Sequence, residues 1–273
     1  MKKFPIQLLL ILILSIGLFS CDKKETLETA PQLPPVETMI FDFSKLDLYK
    51  SAEISKVNWI YSATTVSFWS TILGTTLAVP VAAFHSAVEH QPVKINDEEW
   101  QWQFEVDGFT STYSARLVGK LESSHIKWEM YIAKTGIESF DEFLWFEGTS
   151  ELDGNSGQWI LYHSNEYQEK LLQIDWIKEG ENVGQIKYTY VREKDSQNDD
   201  DVFYGSTLTY GLQDSGFDIF INVHIYSQQE SDFVDSVIEW SSSDYNGHVK
   251  AEHFFNDTDW HCWDVSGNDI ECD

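Results

Sequence analysis

Positive charge is scarce in this chain. Its 273 residues carry 18 Lys and Arg against 45 Asp and Glu, a formal net charge of -27. Such a surface repels phosphates, which excludes nucleic acid and anionic lipid head groups as expected partners. Cysteine is scarcer still: there are three, and no C-x-x-C pair occurs. Neither a zinc knuckle nor a dithiol redox centre is therefore expected. The signatures of catalysis are missing as well, with no G-x-S-x-G elbow, no phosphate-binding loop and no H-E-x-x-H helix. Carboxylates are so numerous that some pairs must meet by chance, so none is singled out as an acid–base couple. The sequence assigns no catalytic residue, no metal ligand and no cofactor, and the chain is not read as an enzyme.

Charge is absent altogether from Val57 to Val88, which contains no Asp, Glu, Lys or Arg. So long a gap in a strongly acidic chain predicts burial. Apolar residues recur at Trp59, Ala63, Val66, Trp69, Leu73, Leu77, Phe84 and Val88, close to helical spacing. The helical segment is placed at 53–90, with a break or kink expected at Pro80, because proline removes an amide donor and disfavours a helical residue before it. A membrane span is the rival reading, since the length suffices. Against it stand nine Ser and Thr residues between Ser62 and Ser86, together with Gly74 and Pro80. The expectation is a buried rod inside a water-facing domain.

From Glu98 onward the pattern changes to period two. Trp100, Trp102, Phe104 and Val106 alternate with Gln101, Gln103 and Glu105, and Ile126, Trp128, Met130 and Ile132 do the same further on. Gly157, Gly184, Gly216 and Gly247 recur at intervals near 30 residues, each between a polar turn and a strand pattern. The unit is a hairpin. The expected fold is mainly β: an antiparallel up-and-down meander of about 11–12 strands, forming a barrel or strongly curved sheet around one buried amino-terminal helical segment. Closure into a barrel is the preferred form, because a barrel of that size leaves an interior to fill. Trp69, Leu73, Leu77 and Phe84 of the rod are expected to pack on Trp102, Trp128, Trp159 and Trp176 of the strands. These eight residues form the candidate apolar interior.

The amino terminus gives an address. Lys2 and Lys3 precede the apolar run Ile6 to Phe19, the pattern of a secretory signal. The run ends in Leu18-Phe19-Ser20-Cys21, which resembles the lipobox of bacterial lipoproteins, with Phe19 standing where that family has a small residue. The resemblance covers the first 21 residues. It implies cleavage after residue 20, lipidation of Cys21 and attachment to a membrane through that lipid. The acidic, aromatic-rich composition is similar in style to envelope lipoproteins of Bacteroidota, which implies a cell-envelope location at the outer membrane. Asp235-Ser236-Val237 resembles the short O-glycosylation acceptor motif of the same group. The domain reading is thus signal 1–20, lipidated cysteine and tether 21–38, and a single β-rich domain 39–273.

Three clusters remain. Cys262 and Cys272, ten residues apart in an exported chain, are expected to form a disulfide. His248, His253 and His261 lie near Cys262, but their spacing matches no zinc pattern, so they are read as polar strand residues. The run Asp195 to Asp201 lacks the glycine and terminal Glu of an EF-hand and is read as a solvated loop, with Ca²⁺ as the alternative. Two function classes follow. One is a binding module that accepts an apolar ligand in a β interior partly filled by the rod. The other is a structural or surface lipoprotein contacting glycan, Ca²⁺ or another envelope protein.

Overall fold

The alternation read from the sequence builds one sheet. The computed structural model describes residues 28–41, 56–107 and 110–272. The signal segment and Cys21 lie outside the described residues. After a 3-10 turn at Val36–Thr38 comes one long helix, α1 (Val57–Glu89). The strands follow: β1 (Val93–Lys94), β2 (Glu99–Asp107), β3 (Ser111–Leu121), β4 (His125–Gly136), β5 (Phe140–Glu151), β6 (Ser156–Tyr162), β7 (Lys170–Glu179), β8 (Asn182–Tyr190), β9 (Thr207–Leu212), β10 (Ile219–Ser227), β11 (Asp232–Trp240) and β12 (Gly247–Lys250). The short helix α2 (Glu252–Phe255) precedes β13 (His261–Trp263) and β14 (Asp269–Ile270). All 14 strands form a single antiparallel meander in chain order.

In β4 the side chains of Ile126, Trp128, Met130 and Ile132 are buried while their neighbours are half-exposed. The same alternation in β5 to β11 gives the sheet one apolar face and one polar face. The recurring glycines fall in the second strands of successive hairpins, or just before them. At Gly157 and Gly247 the glycine makes room for a ring, that of Trp176 and of Trp263. Gly157 on β6 faces Trp176 on β7 across the ladder. A Cβ added there would come within 2.5 Å of Trp176 Cζ2, so the indole occupies the space of a missing side chain.

Two expectations need correction. The sheet is open, not a closed barrel: β1 pairs with β2 and β14 with β13, and the two do not meet. The helix explains the difference. Its 33 residues span about 50 Å, and the eleven strand intervals from β2 to β13 span about 53 Å. α1 uses that length by crossing the strands. Asn58 contacts β13, Phe84 meets Trp159 of β6, and just past the helix His90 lies against Phe104 of β2. A rod laid across the strands needs an open face. The excess over the expected strand number comes from β1, β13 and β14, two or three residues each, too short to show alternation.

The second correction is Pro80. α1 runs through it without a break. A mid-helix proline costs about 3 kcal/mol, but Leu77, Phe84 and Ala87 on either side are completely buried. Each large apolar side chain so buried contributes about 1.5–3 kcal/mol, so packing offsets the lost bond. The hydroxyls in α1 turn back onto the helix, with Ser62 donating to Asn58 O, Thr71 to Ser67 O and Thr75 to Thr71 O. Of the three, Ser62 is buried, and there the bond satisfies a hydroxyl that the sheet removes from water.

The described end of the proline-rich segment packs on the sheet. Pro31, Pro34, Thr38 and Met39 are buried, and Thr38 Oγ1 accepts a hydrogen bond from Trp159 Nε1 at 3.0 Å. Prolines that read as linker serve here as packed surface on the sheet.

Candidate functional site

One side of α1 carries a buried stripe of Asn58, Ser62, Val66, Leu73, Leu77, Pro80, Phe84 and Ala87. It is pinned at its start by the far end of the chain. Lys56 supplies no side-chain cap; instead the Asp269 carboxylate accepts the amides of Val57 and Asn58 at 3.1 and 3.0 Å. Asn58 Nδ2 donates to Cys262 O at 2.9 Å. Cys262 and Cys272 form a disulfide that brackets Asp269.

Of the eight candidate interior residues, Leu73, Leu77, Phe84, Trp102, Trp128, Trp159 and Trp176 are all buried. Phe84 meets Trp159 edge-on with ring centroids 5.2 Å apart, and Trp102 lies 5.9 Å from Trp128. Trp69 differs. It is half-buried and lines an opening between α1 and the sheet. The other side of α1 exposes apolar residues, Ile60 at 52%, Phe68 at 53% and Val79 at 57%, beside the exposed Thr64, Thr71 and Thr75. By length and composition α1 could cross a membrane; here one face of it lies on the sheet.

Beside Trp69 the helix and sheet separate into a groove of two adjoining cavities. The first, about 340 Å³, is walled by Phe68, Trp69, Ile72 and Leu73 of α1, by Leu172 and Tyr188 of β7 and β8, and by Phe203, Ser206 and Leu208 around the start of β9. The second, about 640 Å³, continues toward the start of α1 between Val57, Ile60 and Tyr61 and α2. Phe68, Trp69 and Ile225 of β10 line both. Both volumes fall within the ~300–1,000 Å³ of small-molecule sites.

No Asp, Glu, Lys, Arg or His lines the first cavity. Its tyrosine hydroxyls are engaged. Tyr188 Oη accepts the Phe41 amide at 3.0 Å and donates to Met39 O, and burial pushes its pKa well up. Tyr190 Oη donates to Asp201 at 2.9 Å; burial, then that carboxylate, raise its pKa to about 12. Ser206 is the exception: it is 4% exposed and its Oγ has no partner. Sequence reading missed Ser206, and no pattern around it could have marked it, because its isolation depends on β8, β9 and α1 together.

The remaining clusters disperse. His248 pairs with Glu239, His253 with Tyr61 and His261 with Asp257, and among the described residues no group of three or more His, Cys, Asp or Glu could hold a metal. In the acidic loop Asp195 accepts the amides of Gln197 and Asp199, Asp200 pairs with Lys194, and Asp201 holds Tyr190. Ser236, in the glycosylation-like motif, is 4% exposed and bonds Tyr61 Oη at 2.7 Å. A glycan cannot reach a serine so placed, so the resemblance of 235–237 to an acceptor motif carries no site.

No protein-family model, curated protein or solved structure matches this chain.

Proposed function

We propose that this chain is a lipid-anchored protein of the bacterial cell envelope, held at the outer membrane through Cys21, that binds an apolar ligand between α1 and the sheet. The address rests on the Leu18-Phe19-Ser20-Cys21 signature, and the disulfide at the other end of the chain fits an oxidising compartment. The binding role rests on one observation: a groove with apolar walls in a chain of net charge -27. An acidic protein has polar side chains in abundance with which to line a surface cleft. Leaving Phe68 and Ile72 exposed beside one forgoes the stability their burial would bring.

Mass spectrometry of lipids that co-purify with the full-length protein tests the binding role. Ile72→Glu places a charge in the groove without touching the buried stripe of α1, since Ile72 is 37% exposed. The variant is expected to lose lipids that the wild type retains. An unchanged lipid profile would refute the proposed site. For the anchor, Cys21→Ser is expected to abolish metabolic labelling by fatty acid, and persistent labelling would refute lipidation.

A further inference from the structure

Resting on the anchor proposed above, we infer that the outward side of α1 lies on the surface of a zwitterionic bilayer, the one that holds Cys21. Ile60, Phe68, Ile72 and Val79 are exposed along the helix, and exposed Phe203 and Phe254 flank it across the two cavities. No charged residue interrupts α1 before Glu89, in a chain of net charge -27. The exposed threonines among them do not oppose contact with lipid. Thr71 donates to Ser67 O at 2.8 Å and Thr75 to Thr71 O at 2.6 Å, so neither hydroxyl depends on water for a partner. A helix in the bilayer interface sinks its apolar side ~5–10 Å into the head-group region. α1 has the sheet where such a helix has its polar face.

Chain length keeps the bilayer near this side. The described chain begins at Glu28, seven residues after Cys21, and seven residues reach about 25 Å at full extension. The segment that follows shares the sheet face with α1. Thr38 bonds Trp159, the ring that Phe84 of α1 meets, and the Phe41 amide donates to Tyr188, which lines the first cavity. Charge decides between occupants. A second copy of the chain would bring two bodies of net charge -27 together, and anionic head groups meet the same repulsion. A zwitterionic surface meets neither. The groove shares Phe68 and Ile72 with the patch, so it opens toward the acyl chains and takes its ligand without a passage through water.

The test uses the full-length lipidated protein in phosphatidylcholine vesicles. Cys21 carries the lipid and Cys262 is bridged to Cys272, so one introduced cysteine is the sole free thiol for an environment-sensitive fluorophore. Thr71→Cys and Val79→Cys place the label on the outward side of α1, at exposed positions that line neither cavity. A lipid inside the groove therefore does not account for their response. Asn222→Cys places it on the polar face of β10. The two helix labels are expected to shift to the blue in vesicles and to lose fluorescence when the lipids carry a nitroxide high on the acyl chain. The Asn222→Cys label should do neither, and added phosphatidylglycerol should weaken the loss on the helix. Protein that floats with the vesicles while both helix labels stay in water would keep the anchor and overturn this inference. Equal loss at Asn222→Cys, or loss indifferent to phosphatidylglycerol, would also overturn it. Self-quenching at Val79→Cys that vanishes on dilution with unlabelled protein would assign the face to a second copy instead. Failure to float would overturn the anchor and the inference together.

Discussion

Asp269, four residues from the end of the chain, caps the first turn of a helix that begins more than two hundred residues earlier, at Val57. Helix starts leave four amides without intrahelical partners, and a carboxylate there also meets the positive end of the helix dipole. The rod on which the groove depends is therefore fastened by the last strand of the sheet. Asp269→Ala should cost about 0.5–2 kcal/mol, as cap removals do. Amide hydrogen exchange at Val57 and Asn58 should speed up while exchange in β4 and β5 stays slow. Unaltered exchange at those two amides would show that the contact does not hold the helix.

The disulfide supports the same fastening. Cys262 lies in β13 and its bridge to Cys272 encloses β14, so the bond limits the freedom of the segment that carries Asp269. For a loop of about ten residues the chain-entropy account gives on the order of 2–3 kcal/mol. Replacing both cysteines with serine should lower the unfolding midpoint in denaturant accordingly. It should also accelerate exchange at the start of α1, which a purely local tail would not do. Alkylation of both thiols in exported protein without reductant would contradict the bridge.

The core role of α1 makes a sharper demand. Leu77 is fully buried and stands apart from the groove. Leu77→Asp would bury an unpaired carboxylate at a cost of several kcal/mol, a large share of the ~5–15 kcal/mol that stabilises a typical domain. Loss of the cooperative melting transition, or a fall of many degrees, is expected in the far-ultraviolet β signal. A melt like the parent's would mean that α1 does not organise the sheet.

Acid should loosen the turn that leads into β14. The Asp264 carboxyl accepts the amides of Asn268 and Ser266 and the side chain of Asn268, and the Asn268 amide first among them holds its pKa below the ordinary 3.8. A lowered folded-state value means that the stabilisation is complete above 3.8 and is lost as pH falls through the lower value. The stability gap between wild type and Asp264→Ala should accordingly close as the pH is taken below that range. A gap of constant size from neutral pH to acid would contradict it.

Period-two alternation at Ile126, Trp128, Met130 and Ile132, and the charge-free run from Val57 to Val88, were enough to identify a β-meander with one apolar helix. Both are local signals, since the side chains that alternate or repeat are neighbours in the chain. What the sequence could not reveal depends on contacts between distant residues. Pro80 reads as a break because a proline in an isolated helix is one; Leu77, Phe84 and Ala87 outweigh it only once a sheet lies beneath them. Closure was undecidable from strand patterns, because a barrel and an open meander share the same alternation, and the difference lies in a helix long enough to cross from β13 to β2. Trp69 reads as interior; it packs on the core and also borders the groove, because periodicity assigns a face of the helix but not how far the sheet beneath it extends. Ser206 is an ordinary serine in the sequence, and it becomes an orphan donor only where α1, β8 and β9 have removed it from water.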